Sequence, residues 1–439
     1  MTVTRTSEVP ATGAAHGTAL PPAEPTPPPT PAALVPRRTA RLAIFSLAIG
    51  AFGIGTAEFA TMGLLPYIAA GFDSSITEAS HAVSLYAIGV VVGAPLIAAL
   101  TARMERKRLL LVLALIFVVG SIGSTLAPSL PVMLASRFLT GLPHGAFLGI
   151  GAVVASTLVS PHRRATAMAR VMLGLTVSNI IGVPAAAALG AQFGWRTAYG
   201  LVALIGVVTL VAVLGLVPRS APAQAPSIRR ELATLKRPQV IVTLVAGSIG
   251  FGGMFAVYTF ISPTMTEVTG LPESVIPWVL ACYGIGMTVG SLIAGPLVDR
   301  SIERSALLGI SSLGIVLLVL AALAQVPAVA VACVLLLGVA GSLFTTALQV
   351  RLLRESGDAP SVSAAMNHAA FNFANALGAI LGAVVVDAGL GYRSPALLGA
   401  GLTVVGLAIM VFAVVTRRRA QTSSRHQAEA GLPRDSMAS

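Results

Sequence analysis

The sequence predicts an all-α membrane protein whose twelve transmembrane helices form two six-helix, pseudo-symmetric halves. Three observations predict this fold class. First, 55% of the 439 residues are apolar and only 10% are charged, which is too little charge to cover the surface of a water-soluble chain. Second, long apolar runs recur from one end of the chain to the other. Third, the basic residues collect in alternate connections between these runs. The excess apolar surface therefore faces a lipid bilayer.

The apolar runs are long enough to be membrane-spanning helices. Each holds about 19 to 29 residues, and at a rise of about 1.5 Å per residue such a helix crosses a hydrocarbon core of about 30 Å. Glycine and proline inside the runs are tolerated in membrane helices. The predicted spans are 42–70, 82–101, 109–127, 132–157, 171–190, 197–217, 239–262, 277–298, 306–324, 329–350, 363–387 and 395–416.

The net charge of +12 follows the predicted topology and is not a nucleic-acid-binding patch. If the N-terminus is cytoplasmic, nearly all of the 28 Lys and Arg residues fall in cytoplasmic segments. Only Arg196 and Arg393 lie in external loops, and Arg137 lies within a span. This asymmetry is the positive-inside pattern, and it predicts that both termini are cytoplasmic.

The chain divides at a Pro-containing basic connection between spans 6 and 7. The predicted segments are a disordered cytoplasmic tail (1–40), an N-terminal half (41–217), a cytoplasmic linker (218–238), a C-terminal half (239–416) and a cytoplasmic tail (417–439). The halves repeat, since Tyr86, Gly89 and Gly93 recur 197 residues later as Tyr283, Gly286 and Gly290. Six spans return the chain to the same side, so the repeats are parallel, as in transporters that bind substrate between two halves.

Several short motifs resemble those of a known family. The segment 103–108 resembles the loop signature of the major facilitator superfamily, and 295–300, Gly-Pro-Leu-Val-Asp-Arg, is similar to its fuller form. In span 4, 137–141 (Arg-x-x-x-Gly) is similar to a motif of the twelve-span drug:proton antiporter branch. Residues 55–66 of span 1 resemble the bacterial chloramphenicol-resistance and arabinose-efflux-like permeases.

The resemblance implies a bacterial plasma (inner) membrane transporter that exports small amphiphilic, antibiotic-like compounds in exchange for protons. It implies a monomer that works without a cofactor or a metal and is not an enzyme. It also implies a cytoplasmic gate at Arg103, Asp299 and Arg300, although Ala102 stands where the family has Asp, and Val183 interrupts the span 5 motif. The alternatives are a sugar or metabolite efflux permease, an importer, and a non-transporting sensor on the same fold.

Charged groups within the spans mark the expected proton pathway. A charge at the bilayer centre costs about 3 kcal/mol on insertion scales, so such groups face a cavity or a partner. Glu58 in span 1 is predicted to carry the coupling proton, because removal from water favours a neutral carboxyl; the alternative is a fixed partner for Arg137. Arg137 either acts on a neighbouring group, holds a polar substrate group or snorkels to the interface. His144 either titrates or donates one hydrogen bond.

Polar and aromatic stripes predict a substrate cavity. In span 11, His368, Asn372 and Asn375 share one helical face, which favours cavity lining over interhelical contacts. Hydrogen-bonding groups beside an aromatic wall suit an amphiphilic, drug-sized ligand. The other predicted lining residues are Asn179 in span 5, Phe255 and Tyr258 in span 7, and Gln349 in span 10.

Overall fold

The computed structural model describes Thr2 and residues 36–101, 104–219, 237–356 and 360–430. The rest of the predicted N-terminal tail up to residue 35, and residues 220–236 of the predicted linker, lie outside these ranges. Helix is the regular secondary structure throughout the described part of the chain.

Twelve of the helical segments are long and apolar enough to cross a membrane, which confirms the predicted fold class. Six belong to each half. We number them α1 (Arg37–Gly71), α2 (Ile76–Ile97), α3 (Arg106–Leu126), α4 (Leu130–Thr157), α5 (Pro161–Phe193), α6 (Trp195–Leu216), α7 (Pro238–Thr259), α8 (Glu273–Arg300), α9 (Ile302–Leu323), α10 (Pro327–Glu355), α11 (Met366–Leu390) and α12 (Ser394–Thr416).

Several helices extend beyond their predicted edges. α1 begins at Arg37, within the predicted tail, α5 begins at Pro161, and α10 continues to Glu355. The backbone of α12 stays helical to Ala430. A basic residue marks the predicted edge of each of these four runs, but a helix continues past the hydrocarbon core when its basic side chains reach the interface.

Two helices are irregular where they carry predicted site residues. α4 consists of Leu130–Gly141 and His144–Thr157, so that His144 begins its second part. α5 contains a π-helical turn, Ser178–Gly182, which includes Asn179. π-Helical turns occur frequently at functional sites because the extra residue changes the direction of the side chains and loosens the hydrogen-bond ladder.

The two halves of the internal repeat also share a helix-packing contact. Gly89 of α2 lies against the carbonyl group of Phe138 in α4, and Gly286 of α8 lies against that of Leu335 in α10. A Cβ atom on either glycine would overlap the carbonyl oxygen. Close approach of two helix backbones therefore requires glycine at both positions, which are 197 residues apart.

The loops before α6 and α12 also repeat. Gly194 and Gly391 both have a positive φ, of 89° and 72°, and so adopt a conformation that glycine reaches without strain. Arg196 donates to a main-chain carbonyl after α3 at 2.9 Å, and Arg393 donates to one near the end of α9 at 2.7 Å. Each arginine thereby fixes its loop to the neighbouring helix end.

Replacing Gly286 with Ala is expected to destabilise the protein, because the new methyl group must separate α8 from α10. We expect a loss of about 1–3 kcal/mol in the free energy of unfolding, measured by thermal unfolding of the purified protein in detergent. Gly295→Ala is the matched control, since Gly295 lies in the same helix and a Cβ there meets no atom within 4 Å. Equal stability of the two variants would show that this close contact is not needed.

The two halves pack together at the end of the bundle away from the linker. Gly63 of α1 lies against Leu280 of α8. Near the middle of the helices, Gly284 of α8 lies against the backbone of Asn179 in α5. Buried side chains of α1, α5, α7 and α8 form one hydrophobic cluster across this contact. Four of the predicted site residues lie on these helices: Glu58, Asn179, Phe255 and Tyr258.

Candidate functional site

Glu58 lies on α1 and is turned inward, with 8% of its surface exposed. Its carboxyl group faces the amide of Asn375 on α11 and lies within electrostatic range of Arg137 on α4. Among the described residues the direct ion pair is Arg351–Glu355, so Glu58 and Arg137 do not form one. Glu58 is therefore a buried acid at the junction of the halves that is not locked to a cation.

Arg137 holds α4 against α1 and α2. Its Nη2 donates to the carbonyl oxygen of Ala57 at 2.9 Å, and its Nε donates to that of Ala82 at 3.3 Å. The guanidinium also lies 4.3 Å from the centre of the Tyr86 ring, a cation–π contact. With 1% of its surface exposed, Arg137 does not snorkel to the interface. Because Ala57 precedes Glu58, Arg137 fixes the backbone that carries the acid.

His144 and His368 face each other from different halves. The ring of His144 on α4 lies 6.3 Å from that of His368 on α11, measured between ring centres. His144 Nδ1 is 2.9 Å from the hydroxyl oxygen of Tyr86. The structure thus brings together two residues that the sequence placed on separate spans, and links them to the tyrosine that contacts Arg137.

Aromatic rings from two helices, α7 and α8, surround Phe59, the residue next to Glu58. Phe59 lies 6.3 Å from Phe255, 5.9 Å from Tyr258 and 6.3 Å from Tyr283, measured between ring centres. Tyr258 and Tyr283 are themselves 4.1 Å apart. The predicted aromatic wall of α7 is therefore shared with α1 and α8, and it lies beside the acid.

Several buried polar atoms in this region have no hydrogen-bond partner among the described residues. They include Asn179 Oδ1, the Tyr258 hydroxyl, Asn372 Oδ1 and both amide atoms of Asn375. The Asn375 amide thus faces Glu58 without reaching ordinary hydrogen-bond geometry. A buried unsatisfied group costs about 1–3 kcal/mol, so such a concentration is expected where a polar ligand binds.

The remaining predicted site residues lie apart from this cluster. Gln349 on α10 is exposed. Asp299 and Arg300 are exposed at the end of α8, and neither is paired with another described residue. Arg103, the third predicted gate residue, lies outside the described residues.

Tyr86 and Tyr283 belong to the site, although the sequence patterns marked them only as repeat positions. Each precedes a close-packing glycine by three residues, so each is held at a point where two helices touch. Tyr86 contacts His144 and Arg137, and Tyr283 contacts Phe59. Their recurrence at matching positions in two halves was the signal that could have identified them.

A buried acid, unpartnered amides and an aromatic wall lie where two bundles of membrane-spanning helices meet. This arrangement defines a class of protein, the polytopic membrane transporter with its site between two halves. The model of the Major Facilitator Superfamily matches residues 47–276 and again residues 243–437. The chain therefore belongs to the Major Facilitator Superfamily, which confirms the resemblance of its motifs and the prediction of a transporter that is not an enzyme.

Relatives that match this chain over most of their length agree with this assignment. The chain is 40% identical over 379 residues to the inner membrane transport protein YdhP of Escherichia coli strain K12, covering 86% of this chain and 97% of that protein. It is 31% identical over 379 residues to a chloramphenicol resistance protein of Streptomyces lividans, covering 84% and 95%. The nucleoside transporter NupG has the same fold, with a TM-score of 0.69 at 14% identity over 85% of this chain and 99% of NupG.

Proposed function

We propose that this protein is a secondary active efflux transporter that exports small amphiphilic compounds, including antibiotics, in exchange for protons. The observation that supports this most is a buried carboxyl group, Glu58, which lies beside unpartnered amides and an aromatic wall at the junction of two halves. The similarity to a chloramphenicol resistance protein supports the substrate class.

In this proposal Glu58 is the proton carrier. In a low-dielectric site an isolated carboxylate is costly, so the group favours its neutral form when it is enclosed and releases the proton when it meets water. Rocking of the two halves exposes it to each side in turn. Arg137 holds the backbone beside the acid. His144 contacts Tyr86 in its own half and His368 in the opposing half.

The substrate cavity uses the groups that lack protein partners. Asn179 and Asn372 offer their amide oxygens as acceptors, Asn375 offers both a donor and an acceptor, and Tyr258 offers a hydroxyl group. Phe255 supplies apolar contact, and His368 closes the cavity against His144. An amphiphilic molecule with one apolar face and a few polar groups matches this lining.

The proposed topology places the linker and both termini in the cytoplasm of a bacterial cell, with the protein monomeric in the plasma membrane. The distribution of Lys and Arg supports this orientation. The gate at Arg103, Asp299 and Arg300 then lies at the cytoplasmic surface, and the halves contact each other at the external end.

Transport into everted membrane vesicles tests the proposal. In vesicles energised to an acidic interior, adding chloramphenicol or another amphiphilic compound is expected to release protons from the lumen, and an uncoupler should abolish the response. Proton release with sugars alone would favour the metabolite permease. Proton-driven uptake into right-side-out vesicles would indicate an importer, and saturable binding without transport would indicate a sensor.

A further inference from the structure

A groove lies between α1 and α5 of the N-terminal half, near the linker end of both helices. Its volume is about 500 Å³, and its lining includes Arg41, Phe45, Phe52, Arg170 and Leu173. Its lining residues all belong to α1 or α5, and none of them is a residue of the site at the junction of the halves.

The walls of the groove carry exposed apolar side chains, as expected for a surface that faces the hydrocarbon of the bilayer. Phe45 and Leu173 on its walls are 62% and 57% exposed. Further along α5, Ile181 is also exposed and continues the same apolar face away from the linker. Large apolar side chains exposed on the outside of a helical membrane bundle contact lipid chains. The groove is therefore shaped for an apolar chain that lies along the protein.

Two cations, Arg41 and Arg170, lie at the groove. Arg41 and Arg170 are both exposed, and neither is hydrogen-bonded or ion-paired to a residue that the structure describes. Glu58 is the single acidic residue in the sequences of α1 and α5, and it faces Asn375 on the side of the other half. A guanidinium group presents a planar set of donors that matches phosphate oxygens, and two of them favour a net negative ligand.

We propose that this groove binds an anionic phospholipid, with its phosphate on Arg41 and Arg170 and one acyl chain along Phe45, Phe52 and Leu173. The predicted topology places the groove in the cytoplasmic leaflet, where anionic headgroups meet basic pockets between helices. A zwitterionic lipid offers the same chains and phosphate, but its ammonium group is repelled by the two guanidinium groups, so it binds more weakly.

Native mass spectrometry of the full chain in detergent tests this, with phosphatidylglycerol and phosphatidylethanolamine of identical chains at equal concentration. We expect the phosphatidylglycerol adduct to dominate, and the double variant Arg41→Ala/Arg170→Ala to lower it at least fivefold. Arg108→Ala is the matched control, because Arg108 is an exposed cation at the same end of the bundle, on α3, outside the groove. The phosphatidylglycerol adduct of Arg108→Ala should stay within twofold of that of the unsubstituted protein.

Three results would overturn the proposal: equal binding of the two lipids, an unchanged adduct in the double variant, or an equal loss in Arg108→Ala. The last would mean diffuse attraction by the basic surface. Thermal unfolding of each variant establishes that it is folded. If the double variant does not fold, Ala48→Phe provides the second test, because it fills the groove and keeps both arginines; it should also lose the adduct, and retention would contradict the site.

Discussion

Replacing Glu58 with Gln is expected to abolish transport driven by a pH gradient. Glutamine keeps the size and the polarity of the side chain that faces the Asn375 amide, but it cannot take up and release the coupling proton. Proton release from energised everted vesicles should therefore fall to the level of vesicles without the protein. Exchange of labelled substrate for unlabelled substrate without a gradient should continue, because the cavity lining is unchanged.

The matched control for this variant is Glu78→Gln. Glu78 is an exposed acid in the first turn of α2, where it accepts from the backbone of Ser75, and glutamine can accept the same bond. Full proton-coupled transport is expected in this control. Undiminished coupling in Glu58→Gln would show that Glu58 is not the proton carrier. It would not contradict the proposed substrate cavity.

The fold could be predicted from the sequence because lipid is a uniform solvent. Every span must be apolar over a fixed length, so twelve runs in the sequence became twelve helices. The same constraint identified Glu58 and Arg137, since a charge inside a span has few places to face. Both are buried in the structure.

Contacts between the halves could not be predicted in the same way. His144 and His368 are more than two hundred positions apart in the sequence, and their 6.3 Å approach depends on how two bundles dock. The π-helical turn at Asn179 also lacks a hydropathy signal, because it changes the backbone and leaves the apolar pattern intact.

The largest omission was a buried ion pair beyond the predicted end of span 10. The apolar run stops at residue 350, so Arg351 and Glu355 were assigned to a connection. In the structure α10 continues, and Arg351 Nε donates to Glu355 Oε1 at 2.8 Å with the arginine side chain 0% exposed. Arg351 also contacts the sulfur of Met410 on α12 at 3.3 Å, and Glu355 accepts from Thr243 on α7 at 2.9 Å. The pair therefore joins three helices at the linker end.

Replacing Arg351 with Met is expected to cost about 3–5 kcal/mol in the free energy of unfolding, because it breaks a buried ion pair by removing one partner. Thermal unfolding in detergent measures the loss. Arg354→Met is the matched control: Arg354 is exposed on the same helix, and its replacement should have little effect. Adding Glu355→Gln to Arg351→Met should restore part of the stability, since it removes the carboxylate charge that has lost Arg351 while keeping an acceptor for Thr243. If Arg351→Met is as stable as Arg354→Met, or if the second substitution only adds to the loss, the pair does not hold α7, α10 and α12 together through its charge.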